Sequence, residues 1–178
     1  MLAGLFVALA TGLALHGLLG TGHDVLPGLS RPRQVTTAVG VEAYPTWSPD
    51  GSRLAYTALS SGDDWDIWVS QITGGPPVNL TSGHPGADMH PSWSPDGGQI
   101  AFASDREGGG CFVLPALGGP VRKVTGFSVP PERIHPTWSG DGHELACMAG
   151  DSTMRITNLA SAEFRDLELP ELPVVFST

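Results

Sequence analysis

The stretch PTWSPDGSRLAY at residues 45–56 recurs twice in the chain, as PSWSPDGGQIAF at residues 91–102 and as PTWSGDGHELAC at residues 136–147. The three copies align without a gap, at a spacing of about 45 residues. Internal similarity at a fixed period of about 20–50 residues is typical of stacked repeats. The sequence therefore predicts three copies of one structural unit.

Each period contains four short segments with the alternating apolar pattern of β-strands. In the first copy they are the segment that enters Trp47, the one at residues 53–57, the one at residues 66–69 and the one at residues 78–82. Four strands at this period are the pattern of a propeller blade. We therefore predict an all-β fold, a partial β-propeller of three four-stranded blades.

The residues Pro49, Asp50 and Gly51 between the first two strands predict a tight hairpin turn. Proline fixes φ, the aspartate side chain bonds to the backbone, and glycine accommodates a positive φ. Because Gly140 replaces the proline in the third copy, we expect a looser turn there. We assign a structural role to the turns and to the tryptophans ahead of them, each tryptophan being buried between neighbouring blades: Trp47, Asp50, Gly51, Trp93, Asp96, Gly97, Trp138, Asp141 and Gly142.

The repeats are flanked by a long apolar segment and a short tail. Residues 2–20 carry no formal charge, and a transmembrane helix needs about 20 such residues. Residues 1–20 are therefore a candidate transmembrane helix, with a buried helix or an apolar leader as the alternative. The predicted order is this helix, a linker at 21–32, blades at 33–77, 78–121 and 122–166, a closing strand to 170, and a tail at 171–178.

The composition excludes several classes of partner and cofactor. The net charge is −9 and no run of Lys or Arg occurs, so we expect no nucleic acid partner. Cys111 and Cys147 lack the clustering of a zinc site, and we interpret both as small buried apolar residues, with a disulfide as the alternative. The acidic residues at 63–66 lack the spacing of a calcium loop and predict a solvated turn. We therefore predict no metal and no cofactor.

Catalytic motifs are absent from the sequence. It contains no G-x-S-x-G nucleophile elbow, no Walker loop and no glycine-rich kinase loop. We therefore predict that the chain is not an enzyme.

The repeat resembles the WD-like propeller repeat of the TolB type, with its P-x-W-S-P-D-G turn, I-A-F strand, D-I-W-V strand and final L-T strand. The resemblance spans residues 33–170. Members of this family occur in periplasmic translocation proteins, in the propellers of prolyl oligopeptidase and dipeptidyl peptidase enzymes, and in the outer domains of membrane-anchored bacterial Ser/Thr kinases. The arrangement of this chain, with an apolar span followed by a linker and then the repeats, is most similar to that of the last group.

The resemblance implies a non-catalytic, membrane-tethered module that binds a protein, peptide or other ligand, with its repeats in the periplasm. The alternative is a regulatory or sensor portion of a Ser/Thr kinase or a prolyl-oligopeptidase-type peptidase whose catalytic domain lies elsewhere. Counted alone, Arg31 and Arg33 after the apolar run would instead leave the repeats in the cytoplasm.

By the same resemblance, the loops that enter the first strand of each blade open on the ligand-binding face. These loops are residues 38–44, 83–90 and 127–135. They predict a ligand-binding rim that consists of Glu42, Tyr44, Asp88, His90, Glu132, Arg133 and His135. Two histidines in adjacent blades favour hydrogen-bonded rim residues over a metal site.

Three blades do not close a ring, because closed propellers have about 4–8 blades. The outer blades are then expected to present unpaired edges, which proteins usually cover. We therefore predict that the chain is part of a larger propeller or a half-propeller that self-associates.

Overall fold

A computed structural model describes Gln34, Thr36 and residues 40–59, 64–149 and 153–168. The candidate transmembrane helix at 1–20, the linker at 21–32 and the tail at 171–178 lie outside these residues. Within the part that is described, no helix is long and apolar enough to cross a membrane.

Twelve β-strands in the described residues form three antiparallel, four-stranded sheets, called blades 1 to 3 below. Blade 1 consists of β1 (Glu42–Trp47), β2 (Arg53–Leu59), β3 (Trp65–Gln71) and β4 (Val78–Asn79). Blade 2 consists of β5 (Asp88–Trp93), β6 (Gln99–Ser104), β7 (Gly110–Pro115) and β8 (Arg122–Gly126). Blade 3 consists of β9 (Ile134–Trp138), β10 (Glu144–Ala149), β11 (Thr153–Asn158) and β12 (Phe164–Glu168). The predicted all-β class and the three four-stranded blades are confirmed.

The bounds of the blades differ from those drawn from the repeat period. The predicted bounds started the second and third blades at residues 78 and 122. In the structure β4 pairs with β3, and β8 pairs with β7, so each of these strands is the last of the preceding blade. The reason is local, because an antiparallel strand joined by a short turn pairs with the strand immediately before it.

Side-chain bonds within the Ser-x-Asp-Gly segment fix the hairpin turn in each blade. In blade 1 the Ser48 hydroxyl donates to the Asp50 carboxylate at 2.6 Å, and the Arg53 amide donates to the Ser48 hydroxyl at 2.9 Å. Gly51 has a φ of +68°, as predicted for the last turn position. The hydrogen bonds from Ser48 and then Ser52 lower the pKa of Asp50 to about 2.

The expectation of a looser third turn is wrong. The Ser139 hydroxyl donates to the Asp141 carboxylate at 2.6 Å, and the Glu144 amide donates to Ser139 at 2.9 Å, which repeats the bonds of blade 1. Gly142 again has a positive φ, of +74°. These bonds do not involve the residue at position 140, so the loss of proline leaves the turn unchanged.

Apolar side chains between the blades form the core in two layers. One layer joins blades 1 and 2 and includes Ile67, Trp93, Phe102 and Phe112. The other joins blades 2 and 3 and includes Ala101, Val113, Ile134 and Leu145. Blade 2 therefore contributes to both layers, with one face of its sheet in each.

The three repeated tryptophans differ in burial. Trp93 is 7% exposed and Trp138 packs against the second core layer, whereas Trp47 is 57% exposed. The prediction that each tryptophan lies between two blades is thus wrong for Trp47. Trp47 belongs to blade 1, and within the described residues no blade precedes it. Burial of such a ring contributes about 2–3 kcal/mol to the free energy of unfolding. Trp47 lacks this contribution because no described blade covers it.

Cys111 and Cys147 form a disulfide that links β7 of blade 2 to β10 of blade 3. Both residues are fully buried, as predicted, but the interpretation as separate thiols is wrong. Their Cα atoms are 6.6 Å apart across the second core layer, within the range that a disulfide spans. The two cysteines lie on facing strands of adjacent blades, a proximity that the spacing of the repeats does not reveal.

A buried aspartate connects β3 to the segment that follows β4. The Asn79 side-chain amide donates to Asp66 at 2.8 Å, and the Thr81 hydroxyl donates to the other Asp66 oxygen at 3.0 Å. The Ile67 amide in turn donates to the Thr81 hydroxyl at 2.9 Å. The predicted solvated turn is therefore wrong for Asp66, which is 3% exposed and acts as a structural acceptor.

Candidate functional site

Two β-bulges position the residues at the start of blades 1 and 2. The pairing of β1 with β2 shifts between Ala43 and Thr46, and the pairing of β5 with β6 shifts between Met89 and Ser92. A bulge leaves one extra residue unpaired and changes the direction of its side chain. Tyr44 and His90 accordingly have φ values of +53° and +55°, in a region that non-glycine residues rarely occupy.

Blade 3 reaches the same location without a bulge. Its first strand, β9, pairs with β10 in unbroken register from Ile134 to Trp138. His135 lies on β9 directly before Pro136, as Tyr44 and His90 lie directly before Pro45 and Pro91.

The side chains of Tyr44, His90 and His135 form a continuous row of ring contacts across the three blades, called the ring stack below, with interplanar angles of 47° and 62°. The ring centroids of Tyr44 and His90 are 3.9 Å apart, and those of His90 and His135 are 4.2 Å apart. Tyr44 is 44% exposed and His135 is also exposed, whereas His90 between them is buried. The stack therefore presents two accessible rings on either side of a buried one.

A shallow depression of about 230 Å³ lies along this ring stack. Besides the three rings, its lining consists of the residues that follow each of them: Pro45, Thr46, Pro91, Ser92 and Pro136. Rigid rings and prolines offer contact area at a low cost in conformational entropy, and the Thr46 and Ser92 hydroxyls add polar groups. The depression is thus suited to hold an extended segment of another chain.

The central His90 is held by a backbone contact from the next blade. Its Nε2 lies 3.2 Å from the carbonyl oxygen of Glu132, within hydrogen-bonding distance. Burial, and secondarily the neighbouring His135, lower the pKa of His90 below its usual value. A neutral imidazole at neutral pH follows, so His90 places no fixed positive charge at the site.

Asp88, the second acid predicted for this rim, has a different environment. It is fully buried at the start of β5, and its carboxylate accepts a hydrogen bond from the Arg106 guanidinium at 2.5 Å. Arg106 also donates to the Ser104 hydroxyl through its backbone amide at 3.1 Å and through Nε at 2.9 Å. Burial raises the pKa of Asp88, and hydrogen bonds from Ser104 and Arg106 counteract it. Asp88 is therefore a structural partner of Arg106 and does not reach the surface of the depression.

The remaining predicted rim residues lie near the ring stack without lining the depression. Glu132 and Arg133 are exposed on the short 3-10 turn Pro131–Arg133, directly before β9. Glu42 is half-buried at the start of β1 and accepts a hydrogen bond from the Thr36 hydroxyl. Of the seven predicted rim residues, the structure brings Tyr44, His90 and His135 into one contiguous surface.

The part of the chain that the structure describes contains no group of three or more His, Cys, Asp or Glu side chains able to hold a metal ion. The prolines that line the depression are not among the predicted rim residues, although their position directly after Tyr44, His90 and His135 indicates the same surface.

Comparison with known proteins identifies the family of these blades. The family described as TolB beta propeller domain matches residues 28–169. Dipeptidyl-peptidase 5 of Porphyromonas gingivalis is 34% identical over 85 residues, a match that covers 44% of this chain and 12% of that protein.

Solved structures show the same fold. A TolB candidate from Agrobacterium tumefaciens superposes with a TM-score of 0.64 at 22% identity, over 78% of this chain and 54% of that one. A puromycin-hydrolyzing peptidase of Mycobacterium tuberculosis gives 0.60 at 18% identity, over 79% of this chain and 23% of that one. The chain thus spans about half the length of the first structure and a smaller part of the peptidases. Because the family match covers most of the residues and the described strands form its blades, the chain belongs to the TolB beta propeller domain family.

Proposed function

We propose that the chain is a non-catalytic propeller module that binds a protein or peptide partner at the ring stack of Tyr44, His90 and His135. The observation that carries this proposal is the contact between these rings across three blades, at centroid distances of 3.9 and 4.2 Å. Equivalent positions on the first strands of three blades here carry rings in contact, two of which are exposed. Two positive-φ residues in this stack add support, because strained backbone is concentrated at functional sites.

The shape of the depression favours an extended peptide as the ligand. It is shallow and runs along three successive blades, with aromatic rings and prolines on its surface. Aromatic-lined grooves of this kind bind extended segments, whose backbone lies along the rings. The exposed His135 adds hydrogen-bonding nitrogens on this path.

A peptide library displayed on phage and selected against the purified chain tests this proposal. Selected peptides are expected to lose at least about tenfold in affinity for the double variant His90→Ala/His135→Ala, since hot-spot side chains contribute about 2 kcal/mol or more each. His143→Ala is the matched control, because His143 is an exposed histidine in the hairpin turn of blade 3. Peptides that bind the double variant as tightly as the wild type would show that the ring stack is not the site.

A second candidate function is that of a regulatory portion of a peptidase. The similarity to dipeptidyl-peptidase 5 and to the propeller of a puromycin-hydrolyzing peptidase favours it. The kinase form of this alternative rests on the order of apolar run, linker and repeats in the sequence. The reading frames on either side of the gene distinguish the two candidates. An adjacent hydrolase or kinase domain favours the regulatory function, and its absence favours an independent binding module.

The proposed location is extracytoplasmic, with residues 1–20 as the membrane tether. The Cys111–Cys147 disulfide supports this location, because disulfides form and persist in oxidising compartments such as the periplasm. Fractionation of cells that produce the full chain is the test. We expect the chain in the membrane fraction after an alkaline wash and accessible to protease in spheroplasts, and a chain that is released or protected contradicts the proposal.

A further inference from the structure

The interface between neighbouring blades repeats one polar contact. The indole Nε1 of Trp93 in blade 2 donates to the carbonyl oxygen of Thr46 in blade 1 at 3.2 Å. The indole Nε1 of Trp138 in blade 3 donates to the carbonyl oxygen of Ser92 in blade 2 at 2.9 Å. Thr46 and Ser92 each precede the repeated tryptophan of their own blade. The contact thus joins the first strand of blade 2 to that of blade 1, and the first strand of blade 3 to that of blade 2.

A second contact repeats at the hairpin turns. A Cβ at Gly97 would lie 3.6 Å from Pro49 Cδ of the preceding blade, and a Cβ at Gly142 would lie 3.6 Å from Pro95 Cδ. Both are ordinary van der Waals distances. The turn of one blade therefore packs against the turn of the next in the same way at both interfaces.

The two outermost faces of the described blades expose the two halves of this same interface. On blade 1, Trp47 occupies the position of Trp93 and Trp138 but is 57% exposed. On blade 3, Leu167 occupies the position of Leu80 and Val124, which pack in the two core layers, yet it is 43% exposed. Trp47 and Leu167 are therefore exposed on the outer faces, whereas the equivalent residues pack between blades within the chain.

We propose that these faces bind each other in a second copy of the chain, so that Trp47 of each copy donates to the Thr137 carbonyl oxygen of the other. Thr137 has the same repeat position as Thr46 and Ser92 and is exposed. Two such contacts related by a twofold axis close the assembly. Two copies of three blades give six, within the range of about 4–8 blades found in closed propellers. The association is tested at Trp47, on an outer face, and the proposed peptide site at His90 and His135, so the two proposals can fail separately.

An arginine on blade 3 is equivalent in role to the cation at the interface of blades 1 and 2. Within the chain, the Arg53 guanidinium lies 4.6 Å from the centroid of the Trp93 ring and donates to Gly97. Blade 3 has Glu144 in place of Arg53, and its carboxylate holds the guanidinium of Arg165 by two hydrogen bonds of 2.6 and 2.9 Å. We expect Arg165 to stack on Trp47 of the other copy, as Arg53 stacks on Trp93.

Light scattering coupled to size exclusion, over a dilution series of the purified full chain, tests the proposal. The wild type is expected to have twice the mass of one chain, and Trp47→Ala the mass of one chain. Arg165→Ala removes one cation–π contact from each of the two interfaces and is expected to weaken association at least several-fold. Leu117→Ala is the matched control, because Leu117 is 89% exposed and lies on neither face, and it is expected to keep the wild-type mass.

Three results overturn the proposal. They are a wild type with the mass of one chain throughout the series, a Trp47→Ala variant that associates as the wild type does, and an open-ended polymer in place of a pair. Association through any other part of the chain would survive Trp47→Ala. An unchanged circular dichroism spectrum of that variant shows that its fold is retained, as expected for a residue exposed on the single chain.

Discussion

Blades 2 and 3 are built from the same repeat, yet they differ in the packing of their strands. In blade 2, five of the six residues of both β6 and β7 are buried. In blade 3, β12 is exposed along its whole length, and β10 has two buried residues. Blade 2 has a neighbour on each face, whereas among the described residues blade 3 has one on a single face. The repeat thus determines the sheet, and the neighbouring blades determine how much of it is buried.

The polar contacts also differ between blade 3 and the other two blades. The Asp66 network in blade 1 is buried, and Asp88 in blade 2 is buried with its Arg106 partner. In blade 3 the equivalent strands are held by the pairs Arg155–Asp166 and Arg165–Glu144, which are exposed or half-buried. Ion pairs at exposed positions stabilise a fold little, so we expect blade 3 to be the least stable part of the described array.

The largest effect is expected from a truncation in the centre of blade 2. Phe112→Ala removes a fully buried ring from the first core layer and is expected to lower the free energy of unfolding by about 3–5 kcal/mol. Urea denaturation followed by tryptophan fluorescence measures it. Leu117→Ala, at an 89% exposed position, should change the free energy by no more than about 0.5 kcal/mol. Equal losses in both variants would contradict the assigned burial.

The next effect concerns the disulfide between blades 2 and 3. The double variant Cys111→Ala/Cys147→Ala removes a cross-link between residues 36 positions apart. The loop-entropy relation gives a loss of about 3–4 kcal/mol in the free energy of unfolding. Reduction of the wild type is expected to lower its melting temperature towards that of the double variant. Equal melting temperatures for the unreduced wild type and the double variant would contradict a stabilising link between the two blades.

The smallest effect compares a buried acceptor with an exposed one. Asp66→Ala removes the acceptor of the half-buried Asn79 amide and of the buried Thr81 hydroxyl, and a loss of about 1–3 kcal/mol is expected. Asp166→Ala removes the exposed partner of Arg155 and should cost no more than about 1 kcal/mol. Urea denaturation of both variants provides the comparison. A larger loss for Asp166→Ala would reverse the assignment of buried and exposed contacts.

The blades could be predicted because the contacts that form their strands and turns are local in the sequence. The alternating strands and the Ser-x-Asp-Gly turn depend on contacts between residues a few positions apart, and three copies made the pattern specific. The exposure of Trp47 was not predictable from its motif, which is identical to that of Trp93 over the residues that build the turn. It depends on whether another blade precedes it.

The contacts between blades could not be predicted from the sequence either. The disulfide joins strands of adjacent blades, and neither cysteine has a counterpart in the first copy to mark the interface. At the candidate site the loop positions identified Tyr44, His90 and His135. The burial of Asp88 was missed because its partner Arg106 lies on a different loop.

Exchange of the indole N–H protons, followed by NMR, tests the repeated blade interface most directly. Trp93 and Trp138 each donate to a carbonyl oxygen of the preceding blade, so their indole protons are expected to exchange slowly. Exchange of both protons at the rate of an unfolded chain would contradict the stacking of the three blades.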